Sequence, residues 1–257
     1  MAIARSNFQF STPTPSLKSL SPQMPMTLSP IAQKLAMMQL ADSFYPTGSF
    51  TLSHGLETLV QTGKVKSMQQ LQIFLQLLLT KKVGTTDVVA LIHSHRGSSQ
   101  NDITTIRQAD RRLYLQTAIA RSRETQRQSG RALLMVACNT WENDILNTLK
   151  QETAEGKIHC LHPAIFGAVS AIIGITEQDA VLAFLHSLVT SIISAAIRLG
   201  VAGHLQGQKV LLDLAPDIET VWLKASTMNL NQMRSGTPTI DLAQMQHPKL
   251  SQRLFAN

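Results

Sequence analysis

Acidic and aromatic residues are both scarce in this chain. Sixteen Asp and Glu stand against 23 Lys and Arg, giving a net charge of +7, while aromatics make up only 5% of the residues. Single-stranded nucleic acid is held by charge together with stacked rings, so half of that recognition surface is missing. The two cysteines, Cys138 and Cys160, can build neither a disulfide framework nor a four-cysteine zinc site. Phosphate-cradling GxxxxGK[ST], the HExxH zinc pair and the GxSxG nucleophile turn are all absent. With none of these chemistries written in it, the chain reads as a non-enzyme. No signal-peptide apolar run follows the N-terminus, and a cytoplasmic protein with reduced thiols is the expectation.

Apolar material is plentiful. Hydrophobic residues reach 44% and charged residues 15%, which supplies a core for a chain of 257 residues and excludes disorder throughout. Residues 1–28 stand apart: STPTPSLKSLSPQMPMTLSP is dense in Pro, Ser and Thr, has no acid and no sustained hydrophobic period, and is expected to be a disordered tail. From Ile31 onward apolar residues recur at three- and four-residue spacing. Ser67 and Gln70 form an S-x-x-Q capping box before an apolar helix, and Asn101 and Asp102 offer caps for an arginine-rich one. Thr176 caps a run that Gly200 closes, and Pro216 with Asp217 opens another through Trp222. Alternating strands, hairpin signals and internal repeats are missing. The expectation is an all-α, single-domain helical bundle of about ten helices over 29–257, ending in a flexible tail from about residue 235.

The stretch 180–197 has no charged residue, but it is barely long enough to span a bilayer and carries His186, Ser187, Thr190, Ser191 and Ser194. Those small polar groups suit a central helix of a soluble bundle, so no membrane partner is expected.

Arg107, Arg111, Arg112, Arg121, Arg123, Arg127 and Arg131 face only Asp110 and Glu124 in the same stretch, many at four-residue spacing. They make either a solvated face or a docking surface for an acidic partner, since guanidinium recognises carboxylate bidentately. A nucleic-acid groove lacks a recognisable module. His93 and His95, at an expected frayed helix end before Gly97, and His159, Cys160 and His162 offer imidazole and thiolate to nickel or zinc. A catalytic site usually needs three well-placed protein ligands, and neither HExxH nor a paired-carboxylate motif appears, so no metal site is assigned; a metallochaperone binding nickel directly is kept as an alternative, as is a basic nucleic-acid binder.

The polar, turn-rich segment 39–57 contains Asp42, Pro46, Gly48, Ser49, Phe50, His54, Gly55 and Glu57. Pro46 and Gly48 shape a turn between helices that also suits a recognition loop.

This segment closely resembles the N-terminal motif of the urease accessory protein UreF family, matching it at Leu40, Asp42, Pro46, Gly48, Phe50, Ser53, Gly55, Leu56 and Glu57. Four more blocks follow in order: SGRALL at 129–134, HPAIFGA at 162–168, SAAIRL at 194–199 with GHLQGQ at 203–208, and His247 through Arg253, Leu254 and Phe255. The chain departs from the family at Pro248, where many members carry an acid, and at VAGH in 201–204, where many read PLGQ. The resemblance covers residues 31–257. It implies an all-helical homodimer without catalysis of its own, bridging UreD (also called UreH) and the GTPase UreG to deliver nickel to apo-urease. Nickel would be handled through those partners, with no cofactor bound stably. The 42–57 segment is then expected to face UreG and the 247–255 tail to face UreD; Arg198, Gln206 and Gln208 would line a buried polar passage.

Overall fold

A computed structural model describes residues 28–48 and 51–256. The expected tail over 1–28 lies almost wholly outside them. Among the described residues there are twelve α-helices and no strand.

Helix α1 (Pro30–Ala41) starts where the Ser29 hydroxyl accepts from the Ala32 amide and Pro30 sits in the first turn. The short α2 (Leu56–Gln61) follows the 42–55 segment. Ser67 caps α3 (Met68–Lys81), accepting from the Gln70 amide at 3.4 Å. The Gln70 side chain reaches back to Lys66 N rather than to Ser67, a box shifted by one residue.

Helix α4 (Asp87–Ser99) is the innermost, with Val88 to Ile92 all inaccessible. It crosses α8 (His162–Ile173), itself buried on nearly every side. Two glycines set how closely α8 is approached. A Cβ on Gly167 would lie 2.1 Å from the Leu91 carbonyl, and one on Gly130 would lie 2.0 Å from the Cys160 carbonyl. Backbone fills the space a side chain would need, so both contacts require glycine.

Arginine-rich residues occupy two helices, not one: α5 (Ile103–Gln116), capped by Asp102, and α6 (Ala120–Thr140). Beyond them come α7 (Asp144–Ala154) and α9 (Glu177–Arg198), capped by Thr176 and stopped at Gly200, whose φ is +74°. Among the described residues α9 alone is long and apolar enough to cross a membrane, yet 61% of its most apolar stretch is buried inside the protein. Helices α10 (His204–Asp213) and α11 (Ala215–Ala225) pack at one end.

The stretch from residue 235, expected as a flexible tail, carries α12 (Pro238–Gln246), which packs on α2 and buries Ile240, Ala243 and Gln244. The chain then continues to Phe255, which is only 6% exposed. Too few apolar residues past 235 announced this. The anchor is polar and comes from the other end of the chain.

Candidate functional site

Glu57 lies in the first turn of α2, a helix of six residues, and is wholly inaccessible to solvent. A buried carboxylate is costly unless hydrogen bonds satisfy it. Here the donors come from the far end of the sequence. His247 Nε2 lies 2.7 Å from Oε2, the Leu254 amide donates to Oε1 at 2.7 Å, and the Phe255 amide donates to Oε2 at 3.3 Å. His247 is equally inaccessible, and its Nδ1 has no partner among the described residues. Around this pin, Gln61 Nε2 donates to the Gln252 carbonyl, the Ala256 amide to the Thr51 carbonyl, and Arg121 Nε to the Ala256 carbonyl. The Arg198 guanidinium lies over the Phe255 ring, 4.4 Å from its centroid.

Three groups of candidate residues thus meet at one junction. From the first come Gly55 and Glu57, from the second His247, Leu254 and Phe255, and from the third Arg198. Gly55 has φ +87°, and a Cβ there would press on Gln244 and the Ile240 carbonyl of α12. The remaining members are spread around it. Asp42 ends α1 and its carboxylate accepts from the Phe44 amide at 2.7 Å. Pro46 and Gly48 are exposed, and Arg253 and Leu254 point to solvent. Ser49 and Phe50 lie outside the described residues.

The buried polar passage expected from Arg198, Gln206 and Gln208 is not formed by them, because all three side chains are exposed. Gln206 instead closes the start of α10, accepting from the Gly203 amide at 3.0 Å. A partly open cavity of about 420 Å³ does exist, walled by other residues, among them Asp42, His54, Lys82, Asp87, Gln126, His162 and Gln244. Lys82 holds Asp241 and Gln244 of α12. Asp87 accepts from Thr86 Oγ1 and Gln126 Nε2, and burial raises its carboxyl above the usual range. Burial, and then the Lys82 charge, push His54 down to about 4; burial alone does the same to His162. Both imidazoles are neutral at physiological pH. The sequence reading missed Lys82, Asp87, Gln126, Asp241 and Gln244, which form no motif and converge only through the packing of α12. Glu57 did carry a signal, an acid set among Leu56, Leu59 and Val60.

The histidine groups do not converge on a metal site. His93 and His95 are inside α4, which runs to Ser99 rather than fraying at Gly97, and bind the carbonyls of Met228 and Ile175. His159 stacks on Tyr114 at 3.7 Å, while His162 packs against Phe166 and Phe184. Between them Cys160 is buried at φ +65°. No group of three or more His, Cys, Asp or Glu is placed to hold a metal among the described residues.

Five of the seven arginines are engaged. Arg107 pairs with Glu152 at 2.6 Å, and Arg112, Arg121 and Arg123 donate to the carbonyls of Leu230, Ala256 and Thr117. Arg127 binds Glu124 and the His159 carbonyl.

Comparison with known proteins agrees with the sequence motifs. The UreF family model matches residues 65–215. The chain is 63% identical over 232 residues to the urease accessory protein UreF of Trichodesmium erythraeum (strain IMS101), covering 90% of this chain and all of that protein. It is also 29% identical over 223 residues to the protein of the same name from Yersinia pseudotuberculosis serotype IB (strain PB1/+), covering 87% of this chain and 97% of that one.

Proposed function

Since this chain belongs to the UreF family of urease accessory proteins, with a role in urease maturation, we propose that it is a non-catalytic scaffold bridging UreD (UreH) and the GTPase UreG. It works in the cytoplasm, as a homodimer, and nickel destined for apo-urease passes through the partners rather than binding stably to this chain. The observation that supports this reading is the Glu57 junction. It ties the 42–57 segment, assigned to UreG, to the 247–255 segment, assigned to UreD, through three donors on one buried carboxylate. Contact at either segment is then felt by the other without any reactive group in between.

The test is co-purification of the full chain with UreD and UreG, followed by urease activation. Deleting residues 253–257 is expected to release UreD, and Gly48→Asp to weaken UreG recruitment, with helix content unchanged in both. Normal urease maturation in cells lacking this gene, or full retention of both partners by both variants, would overturn the reading.

A further inference from the structure

Two arginines of the basic stretch, Arg111 and Arg131, are exposed and have no hydrogen-bond or ion-pair partner among the described residues. Their mounting is unusually firm. Asp110, next to Arg111 on α5, is buried and accepts from the amides of His159 at 2.6 Å and Leu161 at 2.8 Å. Gly130, next to Arg131 on α6, lies directly against the Cys160 carbonyl. The turn 159–161 is therefore gripped from both sides, and one free guanidinium emerges beside each grip. Arg127 completes the rim, with its Nε 3.4 Å from the His159 carbonyl and a second bond to Glu124.

We infer that Arg111 and Arg131, held on either side of the 159–161 turn, form a docking face for a carboxylate-rich segment of a protein partner. This goes beyond the bridging reading and does not depend on it, since the face shares no residue with the Glu57 junction. A planar guanidinium matches a carboxylate bidentately, and fixing its backbone lowers the ordering cost of recognition. Nucleic acid is disfavoured on the same observations. Tyr114 already stacks on His159, ring centroids 3.7 Å apart, and the Arg123 guanidinium lies 5.1 Å from its centroid, so stacking a base on it would have to displace contacts already made. Arg107 and Arg127 are also paired with Glu152 and Glu124, and Arg112, Arg121 and Arg123 have their guanidinium groups turned to backbone carbonyls, so only Arg111 and Arg131 present an unengaged fork.

The experiment uses the full chain and a short fluorescein-labelled Glu/Gly peptide, read by fluorescence anisotropy at increasing salt. Saturable binding that weakens with salt is expected. The Arg111→Ala/Arg131→Ala variant should lose at least roughly tenfold, about 1.4 kcal/mol. Lys209→Ala/Arg234→Ala removes two exposed charges elsewhere and should bind as the parent does. Arg111→Lys/Arg131→Lys keeps the charge without the fork, keeps the fold if the alanine pair does not, and should fall between. Absence of saturable binding, equal loss in both alanine pairs, or tighter binding of an oligonucleotide than of the peptide would each overturn the inference.

Discussion

Replacing Glu57 by Gln changes one oxygen into an amide group and leaves the shape of α2 intact. The wild-type carboxylate accepts from His247 Nε2, Leu254 N and Phe255 N. Glutamine has one accepting oxygen, so its NH2 must face at least one buried donor. Hydrogen bonds to a charged group are worth about 1.5–3 kcal/mol each, and an unsatisfied buried donor costs about 1–3 kcal/mol. Without the pin, residues 251–256 keep Phe255 burial, about 2–3 kcal/mol, the Arg198 contact, about 0.5–1 kcal/mol, and the three hydrogen bonds linking Gln252 and Ala256 to Gln61, Thr51 and Arg121, about 0.5–1.5 kcal/mol each. Ordering those residues costs roughly 1–2 kcal/mol apiece, which exceeds that remainder. The expected result is release of the strap with the helical body intact. Amide exchange at Leu254, Phe255 and Ala256 should accelerate about a hundredfold, the equivalent of roughly 3 kcal/mol, and trypsin should cut after Arg253. Exchange within threefold of the parent at all three amides would refute the assignment of the strap's hold to Glu57.

Asp110 supplies a pH test. Burial pushes its carboxyl up to about 6 from an ordinary 3.8, against the opposing pull of the amides it accepts from. The folded chain then binds a proton more tightly than the unfolded chain, so stability falls as pH rises between about 4 and 6, by at most roughly 3 kcal/mol. His54 and His162, pushed down by burial, add a rise with pH in the same window to both chains, so the test is the difference: denaturant titrations should show the gap by which Asp110→Asn is less stable than the parent narrowing as pH goes from about 4 to 6. Gly130→Ala and Gly167→Ala drive a methyl into a carbonyl at 2.0 and 2.1 Å, and each should lower the melting midpoint by several degrees through about 1–3 kcal/mol of overpacking. Burial raises the Cys138 thiol and pushes Cys160 up to about 12. A thiol reagent at mildly alkaline pH should therefore label Cys138 slowly and Cys160 only after denaturation.

Much of the helical framework was legible because caps and apolar spacing are local. Ser67, Asp102 and Thr176 each begin a helix that the pattern announced. The break at 117–119 was not legible, because four-residue arginine spacing continues in register on both sides of it. His93 and His95 were misread for a similar reason: Gly97 suggests a helix end, but it is needed inside α4, where a Cβ would meet the Asp102 carbonyl at 2.9 Å. Of the candidate site, its motif residues could be found and their meeting could not. Nothing in the neighbourhood of Glu57 says that its donors lie 190 positions away at His247. The cavity wall was invisible for the same reason, since Lys82, Asp87 and Asp241 come from three helices or their ends.

The choice of a carboxylate at the junction follows from what α2 lacks. Six residues make fewer than two turns and offer little apolar area to hold a strap and a helix end together. Extra leucines would hold the strap in several registers, because apolar contact is not directional. Glu57 accepts only donors at fixed positions, so the 247–255 segment has one register on 51–57. A hydrogen-bonded junction of this kind also exchanges partners more readily than a greasy one, since a competing surface that presents its own donors satisfies the same carboxylate. Such a joint has a defined resting arrangement, and the surface on either side of it changes when a competing donor takes the carboxylate.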